Sequence, residues 1–396
     1  MILEIILALF MGIIAGTFTG LMPGIHINLV AAIFLSATFL QLNIPIFLVL
    51  ITSMAITHTF IDFIPSIFLG APDEDTGLST LPGHEFLLKG RGNHAVILTL
   101  IGSVSAILLL AFLAPLFIIF VPVIYPFLNR MLGWAILWIA IFLILTEKSS
   151  KLKATLIFFL AGFLGLSSLN LPIKDPLIPL LTGLFGTSTI IFSVKTKTKI
   201  PPQKNEKFYI NKKELIKPTV ATILVSPICA LFPGLGSSQA AIIGSTLMGK
   251  LSKEQFLILI GSVNTLIMAL SFVVLFTIQK NRTGIAAIVS QITILNLSSL
   301  KLILITVFLS TILLIPLTIF ISKTFSNNIH KINYSKLSFL ILIFLIIIVF
   351  IFSKFLGILV LFASTLLGLL CIELGVRRSF LMGCLLIPTI IYYLPI

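Results

Sequence analysis

His58 and Asp62 stand four residues apart in the apolar run 44–70, so on a helix they share one face. A carboxylate beside an imidazole inside a membrane segment suits binding and release of a proton or a sodium ion; the plainer reading is a structural hydrogen-bonded pair. A second polar set follows two Pro-Gly corners. LMPGIHINLVA at 21–31 puts His26 and Asn28 after Pro23 and Gly24, and LFPGLGSSQAA at 231–241 puts Gly236, Ser237, Ser238 and Gln239 after Pro233 and Gly234. Proline cannot donate a backbone hydrogen bond and pushes the residue before it out of helical geometry, so each corner interrupts a helix. Where the helix restarts, its first-turn amides are unpaired and carry positive dipole character, which suits an anion. The side chains at both corners are candidates to assist, with helix capping the competing role for the serines and the asparagine. An intramembrane hydrolase built on Ser237 or Ser238 with His26 or His58 is disfavoured, because no nucleophile motif surrounds those serines. GLGSS at 234–238 also lacks the lysine of a phosphate-binding loop. The chain therefore reads as a non-enzyme without a cofactor, and without a metal beyond a coupling ion.

These residues need a membrane scaffold. Of 396 residues, 58% are hydrophobic and 10% charged, too few polar groups to cover a soluble protein of this size. Segments suited to a bilayer, which takes about 17–25 residues to cross, lie near 2–22, 25–41, 44–70, 94–120, 131–146, 153–170 and 176–194. They resume near 218–232, 236–249, 255–279, 300–322, 337–353, 355–372 and 379–395. The N-terminus has Glu4 where a signal peptide would be basic, so its apolar run is expected to be retained. Cys229, Cys371 and Cys384 lack metal-like spacing and read as buried thiols.

The chain repeats itself. The Pro-Gly stretches are 210 positions apart, Thr76-Gly77 and Thr283-Gly284 are 207 apart, and Gly165 and Gly368 are 203 apart, in unbroken order. The expected architecture is an all-α polytopic membrane protein of two repeats with about seven segments each. Residues 1–194 form one repeat, 195–217 a basic linker and 218–396 the other. Eight lysines in that linker make it cytoplasmic by the positive-inside rule. The same count puts Lys89, Arg91 and Lys253 inside, the N-terminus outside, and Arg130, Lys280, Arg282 and Lys354 among the exceptions. An odd number of segments per half makes the repeats inverted, whether the Pro-Gly segments are broken spans or re-entrant hairpins.

The stretch GAPDEDTGLSTLPGHEFLLKGRGN at 70–93 reads as a compact bent loop. Asp73, Glu74, Asp75, Thr76 and Gly77 are candidates for a gate beside the transport path, with a solvated cytoplasmic loop as the alternative. Their counterparts Arg282, Thr283 and Gly284 follow Lys280 and carry the opposite charge. Glu373 is expected to pair with Arg377 and Arg378 at a helix end.

At these residues the chain resembles the large permease of tripartite tricarboxylate transporters, the TctA-type family. Gly16, Gly20, Pro23, Gly24 and Ile25 match its G-x-x-x-G-x-x-P-G-[LI] stretch; Pro233, Gly234, Leu235 and Gly236 match its second P-G-L-G. Pro82-Gly83-His84, Leu87, Lys89-Gly90 and Arg91-Gly92 look like its loop after the third segment. The sequence departs from the family at His26-Ile27-Asn28 and at Asp73-Glu74-Asp75, where small residues are usual, and is shorter. The resemblance implies secondary uptake of a small carboxylate coupled to H+ or Na+, with the Pro-Gly residues at the substrate site. It also implies an external binding protein and a small membrane subunit as partners. The alternative from another class is a translocase for a phosphorylated polyprenyl lipid carrier, whose head group suits the same helix ends.

Overall fold

The computed structural model describes residues 2–22, 43–70, 76, 78–147, 150–173, 176–195, 200–204, 211–232, 235–249, 251–331 and 334–394. Every regular element among them is helical: α1 Ile2–Leu21, α2 Ile44–Ile61, α3 Phe63–Phe68, α4 Thr80–Leu88, α5 Gly92–Leu145, α6 Lys151–Leu169, α7 Leu177–Leu181 and α8 Ser188–Lys195. The second half adds α9 Lys212–Leu231, α10 Ser237–Leu247, α11 Lys253–Ile278, α12 Gly284–Ile292, α13 Leu297–Asn328, α14 Tyr334–Glu373 and α15 Gly383–Tyr393. Eight helices among the described residues are long and apolar enough to cross a bilayer, and three shorter apolar helices accompany them. Segment 25–41 lies wholly outside the described residues.

Starts and breaks follow local chemistry. Ser150 caps α6 at Lys153 N and Ser252 caps α11 at Gln255 N, each placing an acceptor where the first turn has orphan donors. The segments expected at 94–120 and 131–146 prove to be one helix, α5, with Pro115, Pro122 and Pro126 inside it. Its 54 residues would run roughly 81 Å if straight, and its prolines are the places where a bend is expected. The pair 337–353 and 355–372 is likewise one helical run, broken at Lys354, whose φ of 55° and ψ of −156° are not helical. Between α7 and α8 the backbone widens into a π turn at Thr182–Thr187, where Thr187 Oγ1 lies 2.6 Å from Thr365 Oγ1 of α14. The stretch 70–93 is less of a loop than expected, because Thr80 to Leu88 is helical; Pro82 falls in the first turn, where its missing N–H costs nothing. Glu373 does not reach Arg377. It faces Lys195 at 3.9 Å, while Arg377 Nε donates to the buried Glu147 at 2.5 Å, tying the end of α5 to the turn before α15. All three cysteines are buried, and none of them is in a disulfide.

Two helices are enclosed by the others. Of the apolar stretch of Ile44–Phe68, 83% is buried, and of that of Lys253–Ile278, 94%; for each of the other six long helices the share is 44% or less. α2 packs on α1 and on α13 of the other half, and α11 on α9 and on α5 of the first half. The glycines allow the tight crossings: Gly102 meets the backbone of Ile258 and Gly261 that of Thr99, so a methyl group at either would strike a main chain. Contacts recur between halves. Gly12 abuts Ser53, and Thr222, 210 positions later, lies 2.5 Å from Ser262. Gly165 abuts the carbonyl of Cys384, and Gly368, its partner by repetition, abuts that of Leu184.

Gly165→Val and Gly368→Val should each lower thermal stability in detergent by a similar amount, about 1–3 kcal/mol from overpacking against backbone. Gly249→Asn, at a φ of 75° with nothing within 4 Å of a Cβ, should cost little, since Asn tolerates that conformation. Thermal unfolding read by size-exclusion recovery checks the contrast.

Candidate functional site

The enclosed helices carry the polar residues. Pro65 cannot donate to the Ile61 carbonyl one turn back, and α2 gives way to α3 at Asp62. Asp62 keeps right-handed helical angles there, and Ser66 Oγ donates to its carbonyl at 3.1 Å. The Asp62 side chain is 2% exposed and accepts from Asn264 Nδ2 of α11 at 2.9 Å. His58, one turn earlier and 4% exposed, instead reaches α1, with Nδ1 3.1 Å from Thr19 Oγ1. The two residues share a helix but make these contacts with different neighbours.

α10 begins beside this point. Gly236, extended at φ −86° and ψ −177°, precedes its first turn, and its N–H donates to Gln239 Oε1 at 2.9 Å. That bond makes Gln239 a cap and fixes its amide at the helix start. Gln239 is completely buried, and its amide nitrogen has no hydrogen-bond partner among the described residues. A buried donor left without an acceptor costs about 1–3 kcal/mol, so the start of α10 holds chemistry that an anion would complete. Ser237, 1% exposed, points its hydroxyl at Asn264 Oδ1 across a long 3.4 Å. Ser238 is also buried, at 3% exposure. Next to Asn264, Thr265 Oγ1 donates to Thr59 Oγ1 of α2 at 3.3 Å. The structure thus joins Asp62 and Thr59 of the first half to Ser237, Asn264 and Thr265 of the second.

The residues expected to gate fall at two other places. Thr76 lies 2.5 Å from Ser66 Oγ, and its counterpart Thr283 lies 3.1 Å from Ser271 Oγ while capping α12 at Ala286 N. Gly284 opens α12. Arg282 donates from Nη2 to the Tyr125 hydroxyl at 3.0 Å, with its guanidinium 5.6 Å from the ring centre. Pro23, Gly24, His26, Asn28, Asp73, Glu74, Asp75, Gly77, Pro233 and Gly234 lie outside the described residues. Asn264 and Thr265 were missed by the sequence reading. An amide inside the apolar run 255–279 is the signal that marks the first of them.

With this geometry in view, the comparisons decide the family. The model of the Tripartite tricarboxylate transporter TctA family matches residues 6–383. The chain belongs to the TctA family. An uncharacterized protein of Methanocaldococcus jannaschii is 38% identical over 149 residues, which is 36% of this chain and 37% of that protein. The matched region therefore spans little more than a third of that relative. No solved structure matches. Family membership and the eight long apolar helices make this TctA chain a multi-pass membrane protein of a transport family.

Gln239→Leu should lower stability by about 1 kcal/mol, the usual loss for a removed cap. Gln239→Glu retains an acceptor for the Gly236 N–H and should unfold close to wild type in the same thermal assay.

Proposed function

We propose that this TctA chain is a secondary transporter that moves a small carboxylate-type anion, with H+ or Na+ as the coupling ion. The reading rests on one observation: the buried start of α10, with the Gln239 amide nitrogen unsatisfied among the described residues, is linked through Asn264 to the buried carboxylate of Asp62. An anion is stabilised by helix N-terminal amides and a cation by a carboxylate, and one enclosure holds both. The substrate carboxylate would lie against Ser237, Ser238 and Gln239. Pro233 and Gly234 set the corner, and Pro23, Gly24, His26 and Asn28 supply the matching corner from the first half. His58 and Asp62 take the coupling ion.

The exchanged contacts support two repeats of inverted topology with interrupted or re-entrant segments. α2 rests on α13 as α11 rests on α5, and Gly165 and Gly368 meet carbonyls 200 positions apart. Rocking of one repeat against the other would then expose the site to each side in turn. The basic linker meets one face of the protein at the end of α4, where Lys204 N donates to the Gly90 carbonyl and Gln203 bonds Gly92 N and the Leu87 carbonyl, and Lys253 pairs with Glu85 of the same helix. By the positive-inside rule that face is cytoplasmic and the N-terminus external. Asp73, Glu74, Asp75, Thr76 and Gly77 would gate one side of the path, and Arg282, Thr283 and Gly284 the other. A small membrane subunit and an external binding protein complete the system by family analogy.

Proteoliposomes test this with citrate, C4-dicarboxylates and a polyprenyl phosphate in parallel. Uptake of a carboxylate is expected, and Gln239→Glu, which puts negative charge where the anion sits, should reduce it by at least about tenfold, or 1.4 kcal/mol. Uptake of the lipid phosphate alone, or full carboxylate flux in Gln239→Glu, would overturn the assignment.

A further inference from the structure

Asn264 occupies a position that no motif marks. Its amide is the one side chain, among the described residues, that touches both the Asp62 carboxylate and the hydroxyl of Ser237 in the first turn of α10. It is 4% exposed and sits in the most enclosed of the long helices among the described residues. An amide has two unlike ends. The donor end faces Asp62 at 2.9 Å, as an ionised carboxylate requires, and that leaves the carbonyl end facing Ser237. In this orientation the amide turns an oxygen toward α10, which is the wrong polarity beside a bound carboxylate.

Resting on the transport reading above, we infer that Asn264 is the positioning residue that couples the cation at Asp62 to the anion at the start of α10. When a proton binds Asp62 Oδ2, the new O–H bond becomes a donor and calls for an acceptor. A sodium ion on the same carboxylate likewise calls for an oxygen. Either demand is met when the Asn264 amide turns over and presents Oδ1 to Asp62. The same turn delivers Nδ2 to Ser237 and the anion, adding a donor to that site. The described groups beside Asp62 include Asn264 of α11 at its carboxylate, Ser66 of α3 at its main-chain carbonyl and Gly20 of α1 against its main-chain nitrogen. His58, held by Thr19, is the titratable neighbour one turn away on its own helix, and Thr59 is held by Thr265. Cation and anion then favour each other's binding through a single side chain, as linkage demands.

The full-length protein in detergent tests this by calorimetric titration with citrate and with succinate. One arm varies sodium at fixed pH and the other varies pH at fixed sodium, and these separate the two possible cations. Wild type should bind more tightly with the active cation, by on the order of tenfold. Asn264→Ala and Asn264→Ser should bind weakly and with the same affinity whether or not the cation is present. Asp62→Asn, which resembles the protonated acid, should bind tightly without the cation. The double variant Asp62→Asn with Asn264→Ala should return to weak binding, an order of effects that a merely structural asparagine does not produce. Wild-type cation dependence in a folded Asn264 variant overturns the coupling role. Tight binding in the double variant overturns it as well, even where Asn264→Ala alone unfolds. A wild type that binds neither carboxylate fails at the earlier step, refuting the transport reading and this inference with it.

Discussion

A hydrocarbon solvent offers nothing to an interrupted backbone or a carboxylate, and the protein must supply every partner itself. That constraint accounts for the two helices at the centre. α2 stops at Asp62 because Pro65 removes a hydrogen bond, and α11 brings an asparagine to the buried acid. Such groups survive only inside a sheath of other helices, and these two are by far the most enclosed of the long helices. The outer helices do the reverse and turn large apolar side chains such as Ile2, Phe112, Phe163 and Phe362 outward.

The sheath needs close crossings, and small residues provide them. At Gly102, Gly261, Gly165 and Gly368 one backbone rests against another with no room for a side chain, so dispersion contacts and backbone dipoles replace a hydrophobic force that the bilayer cannot provide. Each half lends its second long described helix to the other, through α2 on α13 and α11 on α5, so each half helps to enclose polar residues of the other. The polar cluster is therefore shared between the halves. Asn264 and Thr265 meet Asp62 and Thr59 across that division.

Much of the fold was legible in the sequence because spanning helices are long apolar runs whose ends carry caps, as at Ser150 and Ser252. Lys354 interrupts α14 where a break between segments was read, and the repeat spacing of Gly165 and Gly368 reappears as matched contacts. Some boundaries were not legible. The segments read as 94–120 and 131–146 form one continuous helix that contains Pro115, Pro122 and Pro126, because a helix held by its neighbours can absorb a proline as a bend instead of ending there. The short helices α4 and α12 hid among turn residues because they are too brief for periodicity to register.

The sequence by itself determined that the chain lives in a bilayer, and that Asp62 and the start of α10 are chemically out of place in apolar runs. Those are properties of composition and spacing along one chain. Which neighbour answers each polar group was decided only by tertiary structure. His58 and Asp62, four residues apart, make different contacts, and Asn264, 202 positions away, becomes the donor to the acid. The reason is that a buried hydrogen bond depends on distances of about 3 Å between side chains, and such distances are set by how helices cross.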